Sequence, residues 1–327
     1  MGEGRPYGQL AKRSHALWRQ IERDTLCELM TTTGGLLIGS KDGNHESYIR
    51  QTIRAAERDR IEHEVLVAAE IRRRFPLFQV GDDDFAYFEP NAGLLKPERC
   101  IAAQLGLAQR HGAQLRLNER VLAIEETVDG VRLKTDQRVI VAAQAVLAVG
   151  PWLAQFLGSE LARVFRVYRQ VQFWFAANDE WLGTIPVFIW ELRGRKKGLY
   201  GLPGVDGGSR SIKIASEQYE TLTTATTFDG VVSSDEVDAI RTNFVRQFLP
   251  TLDGRCTKTV ACMYTMTPDA GFVIDRHPTN RRLLIASPCS GHGFKHSAAV
   301  GEAIAELLIL GSSKIDLSPL RLCRFDS

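Results

Sequence analysis

Ala145-Val146-Leu147-Ala148-Val149-Gly150 is the stretch that decides the fold. Small apolar residues run without alternation and end on glycine, the texture of a strand covered on both faces in a parallel sheet. Toward the N-terminus, a hairpin pattern covers Val121 to Lys134 and turns at Asp129-Gly130. An extended segment is expected at Gln114 to Leu117, and a helix over Pro97 to Arg110 with its proline in the first turn. Toward the C-terminus, strand-like runs at Gly271 to Ile274 and Leu283 to Ala286 lead into Ser290-Gly291-His292-Gly293-Phe294-Lys295, followed by a helix from Ser297 to Leu310. Helix, strand, hairpin and buried strand make up the back half of a nucleotide-binding α/β domain.

Between these halves the texture changes. Alternating runs at Val167 to Phe175, Val187 to Glu191, Leu199 to Leu202 and Ser211 to Ala215 read as an antiparallel sheet with one wet face. One helix interrupts them, capped by Ser234, with Val237, Ile240, Phe244 and Phe248 as its buried stripe. Near the N-terminus Leu10, Ser14, Leu17, Trp18 and Ile21 share one helical face. An extended run follows at Thr31 to Ile38, then helices at Tyr48 to Asp59 and Ala68 to Arg74, a strand at Phe85 to Phe88 and a turn at Glu89-Pro90-Asn91-Ala92-Gly93. The fold class is therefore α/β plus α+β. Residues 1–30, 94–160 and 268–327 would form a discontinuous nucleotide domain, and 31–93 and 161–267 an inserted antiparallel-sheet substrate domain.

The chain has 327 residues, is 44% apolar and carries a net charge of +2. That is enough to bury two cores, and it offers no strong field for nucleic acid or a lipid surface. The basic clusters Arg72-Arg73-Arg74 and Arg193 to Lys197 read as a solvated helix end and a solvated hairpin tip. Six cysteines lie far apart without metal-ligand spacing, which suits free thiols, a reducing compartment and no metal site. No apolar run reaches membrane-span length and the N-terminus is not signal-like, so a cytoplasmic location is expected.

Three features could carry chemistry. Glycines at 291 and 293 let backbone N–H groups approach a ligand, and the following helix N-terminus favours negative charge, although a plain glycine turn before a helix reads the same way. Cys262, between Ala261 and Met263, is either a small buried hydrophobe or a reactive thiol. Lys213, within Ile212-Lys213-Ile214, either points to solvent or is a partly buried amine placed for electrostatic work.

Taken in order, these residues resemble the monomeric sarcosine oxidase and N-methyl-L-tryptophan oxidase family of D-amino-acid-oxidase-like flavoproteins. The resemblance covers nearly the whole chain. It is carried by Phe88 to Gly93, Val149-Gly150-Pro151-Trp152, Tyr168-Arg169-Gln170-Val171, Ala261-Cys262-Met263-Tyr264-Thr265, Ser290 to Lys295, and Asp316-Leu317-Ser318-Pro319 with Arg321 and Phe325. It implies a glutathione-reductase-like FAD domain and oxidation of an amino acid or secondary amine by O2, in a monomer. It implies covalent FAD at Cys262, with Lys213 promoting electron transfer to oxygen and Lys295 holding the substrate carboxylate beside Tyr264. Gly291, His292, Gly293 and Phe294 would face the flavin, with Lys295, Val121, Gly150 and Trp152 as further cofactor contacts and Glu3 as a loop acid near the entrance.

Two departures stand out. Where sarcosine-type members carry a histidine, this chain has Glu217; the resemblance makes that position catalytic, and the change implies weak turnover of sarcosine. No GxGxxG turn occurs in residues 1–327: Thr33-Gly34-Gly35 and Gly201 to Gly208 lack its spacing. The expectation is an incomplete FAD domain, from a missed upstream start or a true truncation, with weak or absent FAD binding by this chain. The other reading is an inactive or partner-dependent remnant that binds carboxylated ligands or another subunit.

Overall fold

In the computed structural model the described residues are 6–42, 47–178, 185–195, 198–204, 210–216 and 219–325. The chain opens with α1 (Tyr7–Thr25), β1 (Met30–Thr32), β2 (Gly35–Ser40), α2 (Tyr48–Asp59), β3 (Glu64–Val67), α3 (Ala68–Arg74), β4 (Asp84–Glu89), β5 (Gly93–Leu95) and α4 (Pro97–Arg110). Then come β6 (Val121–Glu126), β7 (Val131–Thr135), β8 (Val139–Ala142), β9 (Ala145–Leu147), a 3-10 turn at Gly150–Phe156 and α5 (Ser159–Ala162). The middle holds β10 (Arg166–Ala176), β11 (Val187–Trp190), β12 (Leu199–Pro203), β13 (Ser211–Ser216), β14 (Leu222–Thr223) and α6 (Ser234–Ile240). The last stretch is β15 (Cys256–Met266), β16 (Val273–Arg276), β17 (Leu283–Ser287) and α7 (Ser297–Leu310).

The fold class expected from the sequence is the one observed: mixed α/β with antiparallel and mixed sheets. A nine-stranded sheet runs β14-β10-β13-β12-β11-β2-β4-β3, with β15 along the other edge of β10. The parallel pairing of β2 with β11 joins the N-terminal stretch to the later strands. Separately, β16, β17 and β9 form one three-stranded sheet, and β6, β7 and β8 another.

Register gives the large sheet two unlike faces, because residues opposed across an antiparallel pair project to the same side. Val171 and Phe173 on β10, Ile212 and Ile214 on β13, and Ala261 on β15 belong to the main core. That side packs on α6 and its continuation through Ile240, Val245 and Leu249. Burying each such aliphatic or aromatic side chain contributes about 1.5–3 kcal/mol. Polar residues alternate with these and fall on the other side.

The second core joins α1 to α7 and β16. Leu10, Ser14 and Trp18 recur every fourth position and are buried. The Ser14 hydroxyl accepts from the Ala299 N–H at 3.0 Å, the Tyr7 hydroxyl from the Phe272 N–H at 2.8 Å, and Arg13 donates to Glu302 at 2.6 Å. The tail adds a clamp. Arg324 donates to Asp269 at 2.7 Å and to the Phe272 carbonyl at 2.8 Å.

Several sequence expectations are corrected. Thr31 to Ile38 is two strands broken at Thr33-Gly34, and only β2 enters the large sheet. Gln114 to Leu117 is not a strand, and Leu117 is exposed, since no described strand pairs with it. The hairpin gains a third strand, β8, whose Val139 and Val141 are exposed and so carry no burial signal. The run at Ala145 is a strand only to Leu147, and Val146 is 36% exposed while Leu147 is buried, so its two faces are not equally covered; among the described strands it pairs with β17. The strand expected at Gly271 to Ile274 is shifted to Val273–Arg276. The cap of α6 is Ser233, whose hydroxyl accepts from the Glu236 N–H while Glu236 accepts from the Ser233 N–H, a capping box. A π-turn at Arg241–Val245 then interrupts the helix. The basic clusters are not merely solvated. Arg74 pairs with Glu64 and lies over Phe88, and Arg193 pairs with Asp42 and Asp83. Lys196 and Lys197 lie outside the described residues.

Two predictions test these contacts. Tyr7→Phe leaves the buried Phe272 N–H without its acceptor and should cost about 1–3 kcal/mol in urea unfolding; an unchanged midpoint would contradict the staple. For Asp269, burial raises the carboxyl pKa, but hydrogen bonds from Arg324, Gly271 N–H and Thr267 more than offset it, so the folded value lies below the ordinary one. Its contribution is therefore present above the unfolded carboxylate range and lost as pH falls through the folded value. Arg324→Gln should shrink the stability difference between about pH 6 and about pH 3, whereas an identical pH profile would remove the clamp from the account.

Candidate active site

The non-core face of the large sheet carries the chemistry. Cys262 on β15 stands opposite Gln170 on β10, and Tyr264 opposite Tyr168. Four residues along β10, Trp174 is flanked by Lys213 on β13 and Lys258 on β15. The Lys213 Nζ lies 5.7 Å from the centre of the Trp174 ring and the Lys258 Nζ 4.7 Å from it, so one buried indole seats both ammoniums. The sequence left Lys213 open between solvent and partial burial. It is half-buried.

Burial pushes the Cys262 thiol above its ordinary pKa, and the positive charges of Lys213 and Arg169 oppose that rise. Arg169 sits on the core side, where it pairs with Glu236 at 2.5 Å. Cys262 is partly buried as a hydrophobe would be, and it lies within the field of a lysine.

The loop at Ser290 closes over this face. Its Ser290 N–H donates to the Thr265 carbonyl of β15 at 2.9 Å, which docks the loop beside Tyr264. Gly291 has φ +80°, and a Cβ there would stand 2.6 Å from the Tyr264 ring. At Gly293 a Cβ would fall 1.6 Å from the Pro288 carbonyl oxygen. Both positions are closed to a side chain, Gly291 by the Tyr264 ring and Gly293 by the loop's own backbone, so backbone packs directly on Tyr264 at Gly291.

The far side of the loop is anchored to α1. Phe294 stacks on Trp18 with ring centres 6.1 Å apart, and the Trp18 indole N–H donates to the Lys295 carbonyl at 3.3 Å. His292 stacks on Phe272 at 4.7 Å, and its Nε2 lies 3.2 Å from the Ala270 carbonyl. The Lys295 side chain is exposed at the start of the turn leading into α7.

The structure therefore brings Cys262, Tyr264, Lys213 and the loop Gly291 to Lys295 to one region. The 3-10 turn that begins at Gly150, φ +52°, lies against β15, with Trp152 44% exposed on it. Val121 opens β6 in a separate three-stranded sheet. Glu3 and Glu217 lie outside the described residues. Among the described residues no group of His, Cys, Asp and Glu could hold a metal ion, and no helix is long and apolar enough to cross a membrane.

Sequence reasoning missed two members of the region. The Tyr200 hydroxyl lies 3.1 Å from that of Tyr264, so two phenols meet beneath the loop. The alternation of Leu199 to Leu202 could have marked it, since Leu199 is core and Tyr200 must then project the other way. Trp174 was hidden because it looks like core, and only its register with Lys213 reveals its second role.

Residues 2–307 match the FAD dependent oxidoreductase (DAO) family model. A monomeric sarcosine oxidase of Streptomyces avermitilis is 36% identical over 94% of this chain and 80% of its own length. An N-methyl-L-tryptophan oxidase of Yersinia pestis is 29% identical over 99% of this chain and 85% of its own. The structure of an L-proline dehydrogenase from P. horikoshii superposes with a TM-score of 0.82 at 22% identity, covering 97% of this chain and 82% of that one. With the glycine loop seated on Tyr264 beside Cys262 and Lys213, and with these similarities along nearly its full length, the chain belongs to the DAO family of FAD-dependent oxidoreductases, on the sarcosine and N-methyl amino acid oxidase side.

Proposed function

We propose that the protein oxidises the C–N bond of a secondary or primary amino acid to an imine, with O2 reduced to H2O2, and that its FAD is attached through Cys262. The reaction balances. The amine loses two electrons and two protons, oxygen gains both, and the imine hydrolyses in water. The observation that supports the reading is the close approach of Gly291 to Tyr264, which stands on the same face of β15 as the half-buried Cys262.

The residues present fit the flavin ring. Gly291 packs its backbone on the Tyr264 ring and Gly293 on the Pro288 carbonyl, so the loop presents backbone next to Tyr264, and a turn leading into a helix favours negative charge at its start. Cys262 would hold the ring and Lys295 would neutralise its pyrimidine edge or the substrate carboxylate, with Tyr264 and Tyr200 offering hydroxyl donors to the same carboxylate. When bound, FAD supplies the two-electron acceptor. The Lys213 ammonium, set on Trp174, stabilises negative charge developing on oxygen, and it does so more strongly in a site the sheet keeps dry. The glycine-rich turn that holds a pyrophosphate is not among residues 1–327.

The chain is proposed to act as a monomer, in keeping with relatives named monomeric sarcosine oxidase. Glu217 in place of histidine favours an amine other than sarcosine. One observation favours the second reading, in which the chain binds another subunit without turnover. Val146, Ile309 and Leu310 are exposed where Gln144 ties the Leu308 carbonyl to the start of β9.

Mass spectrometry of the peptide containing Cys262 tests the attachment. In flavin-replete protein it should carry one FAD, and Cys262→Ala should release its flavin on acid precipitation; a replete protein with unmodified Cys262 would refute the assignment. If Cys262 only packs, the alanine variant should cost about 1–2 kcal/mol and leave flavin content unchanged. For Lys213→Met, anaerobic reduction by the amine should persist while reoxidation by O2 slows by about 10²–10³. Equal slowing of both halves would mean that Lys213 acts on the fold or the substrate instead.

A further inference from the structure

The glycine loop and Gly150 follow β17 and β9, so the proposed flavin site lies at the C-terminal ends of this parallel pair. The N-terminal ends, about 16 Å away along the five residues of β17, carry a different feature. There Arg276, Arg281, Arg282 and Arg321 line an open cleft of about 870 Å³, together with His277 and one carboxylate, Asp275.

The arginines are placed but not neutralised. Arg276 donates to the Gln144 side-chain oxygen at 3.1 Å and to the Arg281 carbonyl at 2.7 Å. Arg282 donates to the carbonyls of Asp129 and Val128, each at 3.2 Å. Those acceptors carry no charge, so the two guanidiniums are oriented while keeping their full positive charge. Asp275 forms no ion pair with them, since its two oxygens accept backbone N–H groups from Arg276 at 2.8 Å and Leu322 at 2.9 Å, but it keeps its charge and offsets one of the four. Arg281 and Arg321 are exposed, and among the described residues none of the four arginines forms an ion pair. Two further carboxylates act nearby. Hydrogen bonds from Ser318 hold the exposed Asp316 carboxyl below its ordinary pKa, with the charge of Arg321 adding to them, and burial keeps His277 toward its neutral form against the charge of Glu126.

Four guanidiniums against the single lining carboxylate leave the cleft with excess positive charge that suits a polyanion, since each fork matches two oxygens of a phosphate or carboxylate. The spread of the cleft over two strand ends and the tail favours more than one anionic group. We propose that this cleft is a binding site for a small soluble ligand bearing two or more phosphate groups, separate from the flavin region. It does not rest on the oxidase reading.

Calorimetric titration of the full chain with sodium pyrophosphate at low ionic strength is the test, with Arg281→Gln/Arg321→Gln as the variant. Neither side chain holds a backbone group, so the variant should keep its Tm. The site predicts saturable binding, weakened at least about tenfold in the double variant and partly restored in Arg281→Lys/Arg321→Lys, which keeps charge without the fork. Equal affinity in wild type and the glutamine variant would overturn the proposal, as would sulfate binding as tightly as pyrophosphate. Co-sedimentation with phosphatidic acid vesicles that pyrophosphate fails to displace would also overturn it, in favour of a lipid surface.

Discussion

Pairing β10 with β15 along almost their whole lengths is the constraint on which the rest depends. Once Val171 and Phe173 are committed to the core, register leaves Gln170, Trp174, Cys262 and Tyr264 no choice but the other face. A slip of one residue would bury the lysines and cysteine against α6 and expose the aromatic core. Hydrophobic burial thereby fixes the position of polar chemistry that contributes nothing to that burial. The bulge between Trp174 and Phe175 comes only after the functional rows have been set.

The second constraint is the seat of the glycine loop. It is held from one side by β15 through the Ser290 N–H and from the other by α1 through Trp18. Because α1 is itself stapled to α7 and β16 by Ser14 and Tyr7, the loop is positioned by the N-terminal helix as much as by its own strand. Two glycines without room for a Cβ complete the surface. Any substitution there must move either Tyr264 or the Pro288 carbonyl.

Much of this was legible in the sequence where one physical signal dominated. α2, α3, α4 and α7 have the limits that periodicity and proline placement suggested. The glycine loop alone reads equally as a plain turn before a helix, and the roles expected of it, of Cys262, of Lys213 and of Tyr264 came from the family resemblance. What stayed hidden depended on partners distant in sequence. Gln114 to Leu117 has a strand's composition but no strand beside it, β8 shows two exposed valines, and Tyr200 gains meaning only through a hydroxyl 64 residues away. Local propensity cannot report whether a neighbour exists.

The central claim is that the polar sheet face and the glycine loop together form a site for the flavin ring. Riboflavin carries that ring without a dinucleotide, so its fluorescence isolates this claim from the pyrophosphate end. Titrated with the 327-residue chain, riboflavin should show saturable quenching that disappears in Gly291→Val, whose side chain would collide with the Tyr264 ring and force the loop or the ring out of place. Equal quenching by the two proteins, or none by a folded wild-type chain, would contradict the account.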